Sequence, residues 1–383
     1  MTRRETRTEG KSRGDAPANR LSAFARRLLA EWRRLDLPTE GGRVVVAVSG
    51  GADSAALLLA CEELRRAGRL RVELVSAHLD HELRAESSRE DARWVASLSR
   101  TLGVECVTGR AGVGERASAS GDNLEQAARR ARYEFLGETA RERAASVVIT
   151  AHTLDDQAET VLLRLLRGSG AAGLAGIPPA RPLDAAGRVL VARPLLRWAR
   201  RADTEGYARA RGVEPRRDEM NEDERYARVR VRRRLLPLVE TFNPRAVEAL
   251  ARAAELLRED DAALDTAAEA LLREAAADET TPGRPTRQTG GPPAGVNPSE
   301  TPPPLRVGVL ASAPAALRRR ALRRWIERGR GDLRRLELAH VEAVERLLEG
   351  ARGGRLAQLP GGSGVERRRG WLMFRPGKQL KKV

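Results

Sequence analysis

From residue 43 onward, short continuous apolar runs alternate with amphipathic stretches. The runs 44–48, 72–77, 104–107, 147–151 and 189–192 predict strands. Between them, 54–67, 90–102, 123–144 and 155–166 carry helical spacing, and Asn123 with Gln126 gives the third of these a capping-box-like start. Strands that are apolar on both faces and separated by helices predict a doubly wound, Rossmann-like α/β fold, its parallel sheet covered on both sides. In such sheets ligands sit beyond the carboxyl ends of the strands.

Upstream, 21–35 predicts a helix with Leu21, Phe24, Leu28, Trp32 and Leu35 on one face. Downstream, 200–211, 225–240 and 246–276 predict further helices. The composition then changes abruptly: 278–304 is rich in Pro, Thr and Gly and reads as a linker. Residues 305–374 regain helical periodicity and finish in short apolar runs between Gly-rich turns. The expected organisation is a disordered tail over 1–19, an α/β domain over 20–215, a helical region over 216–277, the linker, and a small α+β domain over 305–383. No apolar run of about 18 residues predicts a membrane span, and no apolar signal core follows the basic N-terminus, which points by default to the cytoplasm.

The formal charge of +17 suggests a polyanionic partner. Only Lys11, Lys378, Lys381 and Lys382 among the 70 basic residues are lysine, an arginine bias that GC-rich coding also produces. Local clusters therefore say more than the total. One covers 225–234, with six arginines and no acid; another gathers Arg367, Arg368, Arg369, Arg375 and the last three lysines. Either can contact nucleic-acid phosphates or be a solvated face. Cys61 and Cys106 stand alone, which excludes a disulfide framework and a cysteine-rich metal site.

Four segments carry chemistry. The first, Ser49-Gly50-Gly51-Ala52-Asp53-Ser54, follows an apolar strand and opens a helix. Its glycines admit close approach of backbone amides to a phosphate, the helix end favours the anion, and the serines add hydroxyls. It lacks the lysine of a loop built around a γ-phosphate. The second, His78-Leu79-Asp80-His81-Glu82-Leu83-Arg84, closes the second strand and suits nucleotide contact better than metal. In the third, 122–133, Arg129, Arg132 and Tyr133 share a helix face. The fourth, 151–160, holds His152, Asp155, Asp156 and Glu159. Asp155 and Glu159 are four apart, so their carboxylates are expected to point together, toward Mg²⁺ or an ammonium group.

The Ser49–Ser54 segment resembles the pyrophosphate-binding loop of the N-type ATP pyrophosphatases. All four segments in order, with 164–168, 173–177 and 193–196 after them, are similar to the tRNA(Ile)-lysidine synthetase pattern over roughly 43–244. Two departures are visible: Asp218-Glu219-Met220-Asn221 keeps only the ends of an Asp-x-Ser-Asn segment, and Arg228-Val229-Arg230-Val231-Arg232 lacks the family's asparagine. The resemblance implies an adenine nucleotide alpha hydrolase-like domain and a ligase using ATP, Mg²⁺, L-lysine and tRNA(Ile) with a CAU anticodon. ATP would be held by Ser49, Gly50, Gly51, Ala52, Asp53, Ser54, His78 and His152, with Asp53 also on Mg²⁺. Asp155, Asp156 and Glu159 would meet lysine or the metal, Arg129 and Arg132 phosphate, and Arg228, Arg230 and Arg232 the tRNA. Asp53, Asp155, Glu159 and Arg129 would carry the chemistry. A thiolation ligase on the same scaffold and a non-catalytic tRNA-binding protein are the rival readings, and a second copy of the chain stays open as a further partner.

Overall fold

The computed structural model describes residues 21–82, 87–120, 123–184, 186–216, 223–276, 301–350 and 354–377. The tail over 1–19, Leu83 and Arg84, Asp122, the departure at 218–221, most of the linker and the three C-terminal lysines lie outside the described residues. The chain divides into two compact units, one up to Glu255 and one from Leu256 onward.

The first unit opens with helix α1 (Ala23–Arg34), capped by Ser22, whose Oγ accepts from the Ala25 amide. Strand β1 (Glu40–Ala47), helix α2 (Ala52–Arg66), strand β2 (Arg71–Asp80), helix α3 (Ser87–Leu102) and strand β3 (Glu105–Arg110) follow. After α4 (Val113–Ser120) and α5 (Leu124–Glu142), strand β4 (Ala145–Ile149) returns to the sheet, and α6 (Leu154–Leu166) and the short α7 (Ala171–Leu174) lead to β5 (Ala180–Pro182) and β6 (Leu190–Ala192). The strand order is β3-β2-β1-β4-β6-β5, parallel throughout except for β5, which pairs antiparallel with β6. β5 has only three residues and ends in proline, so it leaves no periodic signal in the sequence.

Successive valines of β1 face opposite sides, as the pleat requires. Val44 and Val46 join a core with α1, α2 and α3, whereas Val45 packs with Leu136 and Ala140 of α5. Because the chain leaves β1 toward β2 and β3 and then returns to β4 on the other side, the β1/β4 boundary is the switch point where a crevice opens. The first and fourth chemical segments flank it. β2 is longer than the apolar run suggests, so His78 and Asp80 are strand residues.

Helix α8 (Arg201–Arg209) is tied to α2 by Glu63, which accepts from the Tyr207 hydroxyl at 2.7 Å and from the Ser22 amide at 2.6 Å. The helix expected over 225–240 runs without a break over 227–242 but changes its winding along the way. It consists of α9 (Ala227–Arg230), a π-helical turn over Val231–Leu235, and α10 (Leu236–Phe242). Pro237 lacks an amide proton and its ring crowds the preceding turn, so the ladder widens there. Helix α11 (Ala246–Ala276) follows, and the division between units falls within it. The region expected over 216–277 is therefore shared between the two units.

The second unit contains β7 (Leu305–Arg306), α12 (Val307–Ser312), α13 (Ala315–Arg330), α14 (Leu338–Glu345), β8 (Arg355–Gln358), β9 (Gly364–Arg368) and β10 (Trp371–Arg375). Its sheet is antiparallel in the order β7-β10-β9-β8. Trp325 is fully buried among Leu322, Ile326 and Phe374, and its indole donates to the Pro303 carbonyl at 2.7 Å. Arg320 and Arg324 of α13 pair with Asp265. Among the described residues no helix is long and apolar enough to cross a membrane.

Trp32 of α1 is fully buried, and its indole donates to the Pro38 carbonyl at 3.0 Å. Trp32→Ala is expected to cost about 3–5 kcal/mol of stability, read by urea unfolding. A variant within about 1 kcal/mol of the parent would show that α1 is not part of the cooperative core.

Candidate active site

The loop after β1 is closed by its own serines. The Ser49 amide donates to Ser54 Oγ at 3.1 Å, and Ser54 Oγ donates to the Gly51 carbonyl at 2.9 Å. Gly50 has φ +96°, which an L-residue adopts only under strain. α2 starts from Gly51, which has no side chain to cap it, so the first amides of this 15-residue helix are left for an anion. Asp53 sits in that first turn. Thr204 of α8 donates to its Oδ1, and Arg201 Nε is 4.0 Å from Oδ2. Burial pushes its carboxyl up to about 6, the Thr204 bond opposes this, and nearby Asp156 adds to it.

This loop forms one side of a cleft of about 1220 Å³. His78, His81, Arg132, Tyr133 and His152 also line it. His78 Nδ1 lies 2.9 Å from the Val48 carbonyl, which can only accept, so Nδ1 carries the proton and Nε2 is left with its lone pair. Burial lowers all three histidines, His81 to about 4 and His152 to about 3, with Arg132 adding to the effect at His81 and Arg193 at His152. They are neutral at pH 7.

Below the loop lies a knot of charges. Glu159 of α6 has 0% of its side chain exposed. Its Oε1 accepts from Arg201 Nη1 at 2.7 Å and Arg232 Nε at 2.8 Å, and its Oε2 from Arg228 Nε at 2.8 Å. Arg201 and Arg228 also reach Asp156 Oδ1, at 2.8 and 3.1 Å. Burial works against ionisation of Asp156 and Glu159, but these guanidiniums outweigh it and hold both carboxyls below their ordinary values. Asp155 is occupied separately, by Arg200 Nε at 3.0 Å and the Arg201 amide at 2.8 Å.

The expected site residues separate into two sets. Ser49, Gly51, Ala52, Asp53 and Ser54 face the cleft from the loop, and His78, His152, Asp156, Arg132, Arg228 and Arg232 from elsewhere. Gly50, Asp155, Glu159, Arg129 and Arg230 do not line it. Asp155 and Glu159 do not form the expected open carboxylate pair. Asp156 and Glu159 share arginines instead, because helix geometry sets which residues are near neighbours but not which face meets the protein. The 225–234 cluster is likewise balanced from a distance or locally: Arg225 pairs with Asp223 and Arg234 with Glu224, while Arg230 donates to the carbonyls of Glu224 and Arg225. Sequence reasoning misses Arg200, Arg201 and Thr204. The signal is two arginines opening a helix, where the dipole disfavours cations unless carboxylates wait for them. Among the described residues no three His, Cys, Asp or Glu side chains converge on a metal position.

Removing Glu159 leaves three arginines facing one another. Glu159→Ala is expected to lose about 3–5 kcal/mol in chemical denaturation; a loss under about 1 kcal/mol would show the knot to be dispensable.

Acid stability follows from the histidines. Between about 3, the folded value of His152, and the ordinary 6.5, the unfolded chain takes up a proton that the folded chain refuses. Stability therefore rises with pH through this window and is lost as pH falls; Asp53, raised to about 6, acts in the opposite sense. His152→Gln should flatten the acid limb of melting temperature against pH. An acid limb as steep as the parent's would contradict the burial argument.

Residues 21–239 match the PP-loop domain family, and residues 305–373 match the TilS substrate binding domain. The chain is 40% identical to the tRNA(Ile)-lysidine synthase of Geobacter sulfurreducens over 80% of its own length and 59% of the relative's. It is 40% identical to that of Thermus thermophilus over 87% of this chain and 57% of the relative, so it spans less than two thirds of either. With the tRNA(Ile)-lysidine synthase of Salinispora tropica the identity is 40% over 90% of this chain and 94% of the relative. Among solved structures, the U34-tRNA thiolase NcsA from Methanococcus maripaludis aligns with a TM-score of 0.51 at 15% identity, covering 61% of this chain and 80% of that one, a likeness of fold. With a PP-loop match over more than half its length and one relative spanned almost end to end, the chain belongs to the tRNA(Ile)-lysidine synthase family.

Proposed function

We propose that this protein ligates L-lysine to C2 of the wobble cytidine in the CAU anticodon of tRNA(Ile), splitting ATP to AMP and pyrophosphate. The observation that carries this reading is the uncapped N-terminus of α2, which opens from the Ser49–Ser54 loop into a cleft large enough for a nucleotide and a base. In the first step the cytidine C2 oxygen attacks the α-phosphate and pyrophosphate leaves. In the second the ε-amine of lysine attacks C2 and AMP leaves, a far better leaving group than the original oxygen.

The α2 amides and the Ser49 hydroxyl receive the phosphates, Ser54 holds the loop in shape through Gly51, and the Ser49–Ser54 loop has no lysine to hold a γ-phosphate. Arg201, Arg228 and Arg232 line the cleft beneath and oppose charge that builds on the phosphates. Asp53 would hold a Mg²⁺ ion, because among the described residues its Oδ2 has no partner nearer than Arg201 Nε at 4.0 Å and the residue lines the cleft. Bound there, Mg²⁺ would supply further charge neutralisation. Asp155 and Glu159 are engaged by arginines, so recognition of lysine's ammonium groups passes to Glu205 and Glu214, which line the cleft without a described ion-pair partner. A thiolating enzyme would present cysteine to the cleft; neither Cys61 nor Cys106 lines it. The cytoplasm, where tRNA and ATP meet, is the location this activity requires.

The test is product analysis of tRNA(Ile) incubated with the protein, ATP and lysine. Lysidine, AMP and pyrophosphate are expected in equal amounts, and folded Asp53→Asn should lose at least about 100-fold in rate, on the scale seen when one group stabilising transition-state charge is removed. ADP as the main product, or an unmodified cytidine despite ATP turnover, would sink the reading.

A further inference from the structure

Two sets of arginines in and beside this cleft differ in their partners. Arg201, Arg228 and Arg232 have their N–H edges engaged by Asp156 and Glu159. Those around Tyr133 do not. The guanidinium carbons of Arg129 and Arg181 lie 5.0 and 4.9 Å from the Tyr133 ring centroid, and Arg193 Nη2 donates to the Tyr133 hydroxyl at 3.0 Å. Among the described residues none of these three reaches a carboxylate. Arg181 donates only to the adjacent Pro182 carbonyl. Arg193 is 1% exposed, donates from Nη1 to Pro178, and has no partner for Nε. Three close cations repel one another, and a fold keeps such a group where an anion arrives. The field is felt nearby: burial raises the Tyr133 hydroxyl, but Arg193 and Arg129 bring it below its ordinary value.

Their position over the ring limits what these arginines can do. A guanidinium held over an aromatic ring is restrained in position by the attraction to its π face, while N–H groups not otherwise engaged stay available for a planar or tetrahedral oxyanion. Tyr133 lines the cleft; Arg129 and Arg181 do not. An anion they hold therefore lies just outside the cavity, on the β5–α5 side and away from the α2 helix end that faces ATP. A free amino acid or a nucleotide seated wholly inside has no charge to place there. A polymer with one unit inside and its charged backbone outside does.

We propose that Arg129 and Arg181, held over the Tyr133 ring and backed by Arg193, form a subsite for a phosphodiester of the RNA strand next to the nucleotide whose base enters the cleft. This rests on the proposed RNA substrate and adds the position at which its backbone is gripped. Arg181, on the short edge strand β5, is the residue it newly assigns.

The experiment measures binding of the full chain to an anticodon stem–loop RNA bearing CAU, in which each loop phosphate in turn is replaced by a neutral methylphosphonate. For the parent chain one linkage beside the wobble cytidine should weaken binding about tenfold, the scale of a single charge-assisted hydrogen bond. Arg181→Gln should lose a similar factor with unmodified RNA, lower the slope of log affinity against log salt by about 0.7, and be indifferent to the neutral linkage at that position. Arg181→Lys should recover part of the salt slope. If Arg181→Gln unfolds, Arg129→Gln carries the same comparison. An Arg181→Gln protein with parental affinity and slope overturns the subsite, as does one that stays as sensitive to the neutral linkage as the parent, because its role would then be structural. Pyrophosphate release and lysine transfer are followed on the same RNA. A parent chain that shows the linkage effect but transfers no lysine would remove the proposed reaction and leave the subsite standing.

Discussion

A carboxylate with no exposure to water must be compensated inside the protein, and Glu159 meets that demand with three guanidiniums at once. Arg201 comes from α8, Arg228 from α9 and Arg232 from the π-helical turn. Withdrawing any one element would strand charge in a poorly hydrated place, so their arrangement about α6 is fixed by electrostatics as much as by packing. Asp156 shares two of the arginines and faces the cleft, which links the knot directly to the floor of the site. Arg201 also stands 4.0 Å from Asp53, carrying the same network to the first turn of α2. The site is thus held by long-range ion pairs below and by short-range serine and glycine geometry above.

The ionisation of the cleft follows from this division. Its histidines are neutral because burial and surrounding arginines oppose their protonation. Its buried carboxylates ionise because arginines hold them so. Asp53 is the exception, a carboxyl at the helix end poised near 6 because one hydroxyl and one distant guanidinium do not offset its burial. A group so placed responds to whatever cation or phosphate comes next to it, while the rest of the site keeps its charge state.

The sheet and the nucleotide loop were legible because they depend on local rules. The apolar run 44–48 marks a doubly covered strand, and Gly50 before Ser54 marks a turn that other residues make only under strain. The partners of the arginines were not legible, because charge pairing in this protein is non-local. Residues 225–234 contain no acid and so resemble an RNA-binding face. Yet Arg228 and Arg232 find Glu159 on a helix formed far earlier in the chain. Spacing correctly set Asp155 and Glu159 on one side of a helix; it could not show that this side would meet Arg200 and Arg201 rather than ligand. The edge strand β5 left no trace either, so Arg181 could not be placed beside Tyr133 before the sheet was assembled.

Among the described residues, the cations that line the cleft are arginines, and the four lysines of the chain lie outside the described residues. For the proposed attack of an amine on an activated base, the choice of arginine has a consequence for fidelity. A lysine in the cleft would be a second copy of the substrate's own nucleophile, tethered at high effective concentration beside the electrophile. It would become covalently attached to the RNA in place of the free amino acid. A guanidinium supplies the positive charge that phosphates require but remains protonated at any physiological pH and has no lone pair to offer. In the proposed reaction, the arginines described at the cleft would therefore supply charge without offering a competing amine.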